Sequence, residues 1–156
     1  MADVCISYDG ESAESVARQI CETLEKDGIS CWYMGRDMRK GALRGVIAEE
    51  IQDCRVFLVI LSAKALQSAY VKAEIALAAQ GFGDNREQGL IAFLVDDGVA
   101  DDARKGAYLQ RFLLVDGCPP DAENLRKLKN AVLLRTFPKG YGPASAARSR
   151  VRAAYL

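Results

Sequence analysis

The side chains that can do chemistry in this chain are carboxylates, hydroxyls, thiols, lysines and arginines, because the sequence contains no histidine. A Ser-His-Asp triad, a Cys-His pair and a histidine-ligated metal site are therefore excluded. Glu74 follows Tyr70 by four residues in a segment with helical periodicity, so the two side chains share a helix face. Most glutamates on helices are solvated surface charges, and that ordinary interpretation stands beside a catalytic one.

The cysteines favour a reducing compartment. They are odd in number and contain no Cys-x-x-Cys spacing, so we predict neither a metal site nor a disulfide framework. Most of them lie within apolar patterns, where cysteine acts as a small hydrophobic residue. The five cysteines are Cys5, Cys21, Cys31, Cys54 and Cys118.

A cationic cluster surrounds a loop bounded by glycines. Arg36, Arg39, Lys40 and Arg44 could neutralise a pyrophosphate or bind a neighbouring acidic domain, and a solvated loop is equally consistent. Asp37 could pair with one of these cations. Neither Gly-x-Gly-x-x-Gly nor Gly-x-x-x-x-Gly-Lys-Ser/Thr occurs, which disfavours redox use of NAD and hydrolysis of nucleoside triphosphates.

Size, charge, the short apolar runs and the form of the N-terminus together predict a small cytoplasmic protein. The 156 residues are 50% hydrophobic, which suits one hydrophobic core. Equal numbers of basic and acidic residues, 21 of each, predict no general attraction to nucleic acid or to anionic membranes. The longest apolar run, residues 56–61, is too short to span a bilayer, and the N-terminus lacks the features of a signal peptide.

Short apolar strands alternate with amphipathic helices along the chain. The run Val56–Leu61 has the continuous apolar character of a central parallel strand buried on both faces. We predict an irregular loop from Tyr33 to Gly41, a single helix from about Leu66 to Ala79, and an edge strand over residues 112–115. This alternation predicts a doubly wound α/β fold, with a parallel sheet covered by helices on both faces.

The carboxyl edge of that sheet is the predicted ligand site, because doubly wound folds bind ligands there. Tyr8 and Asp9 follow the first strand, the loop after Trp32 follows the second, and Ser62 follows the central strand. Each residue also has an ordinary interpretation. The two aromatic rings could stack on a ligand or pack at the edge of the core, Ser62 could bind a ligand or cap the next helix, and Asp9 could form a plain turn.

The last twenty residues differ from the rest. Residues 137–156 hold four basic residues and no acidic ones, so residues 1–136 carry 17 basic and 21 acidic residues, a net charge of −4. We therefore predict a domain over residues 1–136. A basic tail rich in glycine, proline and alanine, or a linker to a missing domain, follows over residues 137–156.

Four segments in order resemble the Toll/interleukin-1 receptor (TIR) domain family. The segments are 3–8, 28–41 with its Arg36-Asp37 and Gly41, 56–62 with its terminal Leu-Ser, and 68–75 with its Tyr-x-x-x-Glu. The likeness is clear over residues 3–98 and becomes vague after that. It implies a flavodoxin-like sheet of five parallel strands in the order 2-1-3-4-5.

Enzymatic members of this family break the bond between nicotinamide and ribose, so the resemblance implies that NAD+ is a substrate and that no cofactor or metal is needed. The nicotinamide of NAD+ is already cationic and leaves as a neutral base, so no general acid is required, unlike ordinary glycoside hydrolysis. One fixed carboxylate can stabilise the positive, oxocarbenium-like ribose. The resemblance assigns this role to Glu74, with nicotinamide and either ADP-ribose or a cyclic isomer as products.

The remaining site residues are assigned to two groups. The residues expected to bind substrate are Tyr8, Asp9, Trp32, Arg36, Asp37, Ser62 and Tyr70. The loop residues expected to support self-association are Arg39, Lys40 and Arg44.

The resemblance is to bacterial NAD-cleaving immune effectors of antiphage defence, which act when assembled and are often joined to a sensor domain. Many signalling TIR domains have proline where this chain has Lys40, and tryptophan where Pro138 follows Phe137. The alternative is a non-enzymatic TIR scaffold that acts by homotypic TIR–TIR contacts, including one that interferes with host signalling. A receiver domain is disfavoured, because Ser62 stands where the phosphorylated aspartate would be expected.

Overall fold

Mostly apolar runs of three to six residues become strands, and the amphipathic segments between them become helices. The computed structural model describes residues 2–37, 44–81, 89–106 and 109–136. The strands are β1 (Val4–Ser7), β2 (Cys31–Tyr33), β3 (Val56–Leu61), β4 (Gly89–Leu94) and β5 (Leu113–Asp116). The helices are α1 (Glu11–Glu25), α2 (Met34–Asp37), α3 (Arg44–Asp53), α4 (Ala63–Gln67), α5 (Ala69–Gly81), α6 (Val99–Lys105) and α7 (Ala122–Thr136).

The strands form one parallel sheet in the order β2-β1-β3-β4-β5, as predicted. β1 pairs with both β2 and β3, and Cys5 lies opposite Trp32 on one side and Phe57 on the other. Every residue of β3 and β4 is buried. Their continuous apolar runs are therefore explained by helices that cover both faces of the sheet.

Side chains that alternate along each strand divide the core into two layers. Val4 and Ile6 of β1 point to the face covered by α1 and α7. Cys5 and Phe57 point to the opposite face, which α3, α4, α5 and α6 cover. Burying a side chain the size of Phe57 contributes about 1.5–3 kcal/mol, so each layer fixes its helices firmly. Side chains at the carboxyl edge of the sheet therefore face one layer or the other, and the two layers contain different residues.

Two local predictions were wrong. The predicted loop after the second strand is ordered at its start, where β2 continues through Tyr33 and α2 forms one helical turn. The predicted single helix from Leu66 to Ala79 is two helices separated at Ser68, which has extended backbone angles. The Ser68 hydroxyl accepts a hydrogen bond from the backbone N–H of Val71 at 3.2 Å, so this residue caps a new helix.

Two further predictions concern the C-terminal part of the sequence. The predicted fifth strand is present, displaced by one residue toward the C-terminus. The predicted tail, residues 137–156, lies outside the described residues. In the part of the chain that the structure describes, no helix combines the length and the apolar character needed to cross a membrane.

Candidate functional site

Glu74 lies on α5, which packs one face firmly against the sheet. Val71, Ile75 and Ala78 form the buried stripe of this helix, with exposed fractions of 1% or less. Glu74 sits beside that stripe and is half-buried. The helix thereby holds the carboxylate at a fixed place between the core and the surface.

A cavity of about 540 Å³ opens beside this carboxylate, between α3 and α5. Within the described residues its walls are apolar apart from Glu74 and the Tyr70 hydroxyl. The lining residues are Ile47, Ala48, Ala69, Tyr70, Ala73, Glu74 and Leu77. Small side chains leave room for a flat ring, and the one carboxylate faces a space with few competing polar groups. Such a site favours a cationic centre held against Glu74.

The electrostatics of Glu74 reflect two opposing influences. Burial raises the pKa of the carboxyl group above its usual value of 4.5, and the hydroxyls of Ser7 and Tyr70 act to lower it. Ser7 Oγ is buried and has no hydrogen-bond partner of normal geometry among the described residues. We therefore interpret its effect on Glu74 as a close polar interaction and not as a full hydrogen bond.

Ser7 is a site residue that sequence reasoning missed. It is the last residue of β1, and its side chain points to the same face as Cys5, toward α5. The sequence contained a clue to this orientation: Ser7 follows Cys5 by two residues, and residues two apart in a strand face the same way. An unpartnered buried hydroxyl beside Glu74 provides a polar atom that a ligand could satisfy.

Tyr70 links the cavity to the segment after β2. Its hydroxyl lies 3.4 Å from Met34 Sδ on α2, and its side chain is 37% exposed. A hydroxyl has one proton to donate, and an ionised carboxylate is a much stronger acceptor than a thioether. Tyr70 therefore supports the charged form of Glu74 and also contacts α2.

Glu50 is a second acidic residue on this side that the sequence did not predict. It lies on α3, and its Oε2 atom is buried without a hydrogen-bond partner among the described residues. The pKa of the Cys5 thiol is raised by a hydrogen bond with Cys54, by burial, and by the charges of Glu74 and Glu50. The two carboxylates thus approach the same buried thiols from different helices.

Two other predicted site residues lie near this side but have structural roles. Trp32 packs against the layer that contains α3 and α5. The Ser62 hydroxyl accepts a hydrogen bond from the backbone N–H of Ala65 at 3.0 Å and so caps α4, the ordinary interpretation of this residue. Ser62 is not among the described residues that line the cavity beside Glu74.

Tyr8, which is expected to bind substrate, packs on the side of the sheet opposite to Glu74. Its hydroxyl donates to Glu14 Oε1 at 3.3 Å and accepts from the backbone N–H of Gly35 at 3.0 Å. Its ring packs edge-on against Tyr33 at 6.2 Å between ring centres. Burial raises the pKa of Tyr8 to about 12. Tyr8 follows β1 and packs against the core layer that contains α1 and α7, whereas Ser7 points toward α5.

Arg36 and Asp37 also lie on the α1 side. The Arg36 guanidinium donates to Glu25 at 2.7 Å, to Asp37 at 2.8 Å and to the carbonyl of Cys31 at 2.7 Å. It also stacks over the Tyr33 ring at 5.1 Å, and Asp37 accepts from the backbone N–H of Tyr33 at 3.0 Å. These contacts hold α2 against β2 and α1. Binding of substrate by either residue stays a prediction.

The remaining predicted residues are placed only in part. Asp9 lies 4.0 Å from the ammonium of Lys64, at the carboxyl edge of the sheet. Arg39 and Lys40 lie outside the described residues, and Arg44 begins α3 without a described side chain. The structure therefore brings together Glu74, Tyr70 and Ser7, with Trp32 on the same face.

Comparison with known proteins identifies the fold and the family. The family profile described as a TIR domain matches residues 4–129. A metazoan TIR-STING receptor from C. gigas in complex with 2',3'-cGAMP is similar, with a TM-score of 0.69 and 23% identity over 85% of this chain. The chain spans only 39% of that receptor. No curated protein gives a significant match.

Two further solved structures share the fold. The TIR domain of the Toll-related receptor TRR-2 from Hydra magnipapillata has a TM-score of 0.65 and 19% identity, covering 85% of this chain and 99% of that one. The TIR domains of the activated Roq1 resistosome, which recognises the pathogen effector XopQ, have a TM-score of 0.57 and 13% identity. That match covers 100% of this chain and 98% of the Roq1 chain.

Proposed function

The chain belongs to the TIR domain family, and we propose that it is an NAD+ glycohydrolase or cyclase in which Glu74 is the catalytic residue. The observation that carries this proposal is the half-buried Glu74 carboxylate in an otherwise apolar wall. A carboxylate so placed can stabilise a cationic reaction centre, because few polar groups or waters compete with it. NAD+ is then the substrate, and the proposal requires no cofactor.

The reaction needs one bond to break and little acid–base chemistry. The bond between the nicotinamide nitrogen and the ribose carbon breaks, and its electron pair stays on nitrogen, so nicotinamide leaves neutral. The ribose becomes an oxocarbenium-like cation whose charge Glu74 stabilises. Water then captures the cation, giving ADP-ribose and one released proton. Capture by a ring nitrogen of the adenine would give a cyclic isomer instead.

The neighbours of Glu74 have separate tasks in this scheme. The small apolar residues Ala69 and Ala73 leave room for the nicotinamide ring and exclude water from it. Tyr70 keeps Glu74 charged and closes one side of the cavity. The buried Ser7 hydroxyl acts on Glu74 from behind the cavity wall and helps to hold down the pKa of its carboxyl group. Tyr8 and Arg36 pack on the other side of the sheet and are not among the described residues that line this cavity, so substrate binding by them stays a prediction.

The biological setting that we propose is a bacterial immune effector of the cytoplasm. It would act against phage when a fused or partner sensor domain clusters several copies. The likeness to TIR domains of an activated resistosome supports control by assembly. The balanced net charge supports the absence of nucleic acid and membrane partners.

Incubation of concentrated protein with NAD+, followed by chromatography of the products, tests the proposal. Wild-type protein should release nicotinamide, and Glu74→Ala should not. Glu123→Ala is the matched control, because Glu123 is an exposed helical glutamate with a 69% exposed side chain, far from the cavity. Wild-type protein that stays inert at high concentration would favour the non-enzymatic scaffold.

A further inference from the structure

A second group of chemically active side chains lies on the α1 side of the sheet. The thiols of Cys21 and Cys31 and the carboxylate of Glu25 each place one ligand atom within 4.8 Å of the other two. Both cysteines are buried, with exposed fractions of 1% and 7%. The residues lie apart from Glu74 and its cavity, so the proposed NAD+ chemistry does not account for them.

The local fold creates this group from a sequence without a metal-binding spacing. Cys21 and Glu25 are one turn apart on α1 and therefore share a helix face. The chain then reverses through Gly28, whose φ of +78° suits glycine, and Cys31 begins β2 beside the same helix face. Only this packing brings the second thiol to the first.

We propose that Cys21, Glu25 and Cys31 bind a thiophilic divalent cation, with zinc as the natural ion. Tetrahedral zinc takes sulfur at about 2.3 Å and carboxylate oxygen at about 2.0–2.2 Å, so neighbouring ligand atoms lie roughly 3.4–3.8 Å apart. The three ligand atoms lie within 4.8 Å of one another, which is at most about 1 Å beyond the upper end of that range. The two thiol protons leave to solvent when the ion binds.

A cavity borders the proposed site at Cys21. This cavity of about 390 Å³ is lined by Cys21, Tyr33 and Arg36, together with Glu14, Arg18 and Glu22 of α1. Of the three proposed ligands only Cys21 is among its described lining residues, so we place the entry of the ion and a water as fourth ligand on that side. Three protein ligands and an open position form a recognised zinc arrangement.

Arg36 supplies the outer shell that such a site needs. Two thiolates and one carboxylate around a divalent ion leave one net negative charge, and the guanidinium lies against it. Arg36 donates to Glu25 Oε1 at 2.7 Å and to the Cys31 carbonyl at 2.7 Å, so it touches two of the three ligand residues. Its contact with one carboxylate oxygen leaves the other for the ion and fixes the orientation of the carboxylate.

Titration of reduced, metal-free protein with Cd2+ tests the site, with the ultraviolet thiolate-to-cadmium band as the readout. One ion per chain should bind. Cys21→Ser and Cys31→Ser should each remove the band, and Cys118→Ser, which changes the half-buried cysteine outside the site, should keep it. Arg36→Gln should weaken binding by roughly ten- to hundredfold as an outer-shell change.

Three results would overturn the proposal. The band could persist in the Cys21→Ser, Cys31→Ser double variant, or it could disappear in Cys118→Ser. Thiol counting on unreduced protein could also show that Cys21 and Cys31 form a disulfide. If this disulfide forms again after reduction and prevents Cd2+ from binding, the proposal is wrong. Glu25→Gln keeps the test decisive if the serine variants fail to fold, because Glu25 has a 42% exposed side chain. Its cadmium affinity must fall while its melting temperature stays close to that of wild type.

Discussion

Glu74 must carry a charge in a place where burial opposes that charge. Burial raises the pKa of its carboxyl group, and the hydroxyls of Ser7 and Tyr70 hold that pKa down. A carboxylate with less solvation than one in water interacts more strongly with a cation. The site therefore gains electrostatic strength and needs nearby hydroxyls to keep Glu74 ionised.

Tyr70→Phe tests this balance. Loss of the hydroxyl should raise the pKa of Glu74 further, and activity requires the ionised form, so the acid limb of the kcat/KM profile should move to higher pH. Met34→Leu is the control, since it removes the sulfur contact of Tyr70 and keeps the hydroxyl. An unchanged acid limb in Tyr70→Phe would show that Tyr70 does not support the charge.

For individual residues, the sequence predicts those contacts that depend on local spacing along the chain. Glu74 and Tyr70 meet because residues four apart on a helix are neighbours. Ser7 and Glu50 were missed, since their importance depends on helices that pack over the strand from elsewhere in the chain. The separation of Tyr8 from Glu74 depends on contacts after β1 ends at Ser7, where Tyr8 bonds to Glu14 and Gly35 and packs on Tyr33.

The elements were predictable where periodicity is strong. The all-buried strands β3 and β4 and the amphipathic helix α1 follow from apolar patterning alone. The break between α4 and α5 was not predictable from periodicity, because both helices are rich in alanine and leucine and their patterns join smoothly. Ser68 separates them, because its side chain caps the start of α5 and so competes with a continuous helix.

Gly89 sets the spacing of β3 and β4 at the amino end of the pair. A Cβ atom at this position would lie 2.4 Å from the Arg55 carbonyl and 2.6 Å from Val56 Cα. Gly89→Ala should therefore cost about 1–3 kcal/mol in the free energy of unfolding, as overpacking does. Urea denaturation measures this, with exposed Glu123→Ala as a control expected within about 0.5 kcal/mol of wild type. Equal stabilities for the two variants would contradict the tight contact.

On the scale of the whole molecule, the sheet separates two sets of functional side chains. Glu74 and its cavity lie on the α3–α5 side, and the Cys21–Glu25–Cys31 group lies on the α1 side. α2 touches both, because Met34 contacts Tyr70 and Arg36 contacts Glu25. A change in α2 can therefore reach both sites.

Assembly should control the rate of NAD+ cleavage. The reason is that Arg39, Lys40 and Arg44 are close together in the sequence while residues 1–136, which include them, have a net charge of −4, and this contrast suits contacts between copies. Arg39→Glu and Arg44→Glu should lower activity at high protein concentration with little change in melting temperature. Activity per molecule that is the same in dilute and in crowded protein would exclude this control.

The most direct test of the central claim is the rate of NAD+ cleavage by Glu74→Gln. Glutamine keeps the shape of the side chain and removes its charge. The protonated, neutral form of buried Glu74 stabilises the fold below pH 4.5, and that contribution is lost as the pH rises through its raised pKa. The glutamine variant should thus be at least as stable as wild type at neutral pH. If charge stabilisation is the role of Glu74, activity should fall roughly a hundredfold or more, nearly as far as in Glu74→Ala. A folded glutamine variant that keeps most of the wild-type rate would contradict the account.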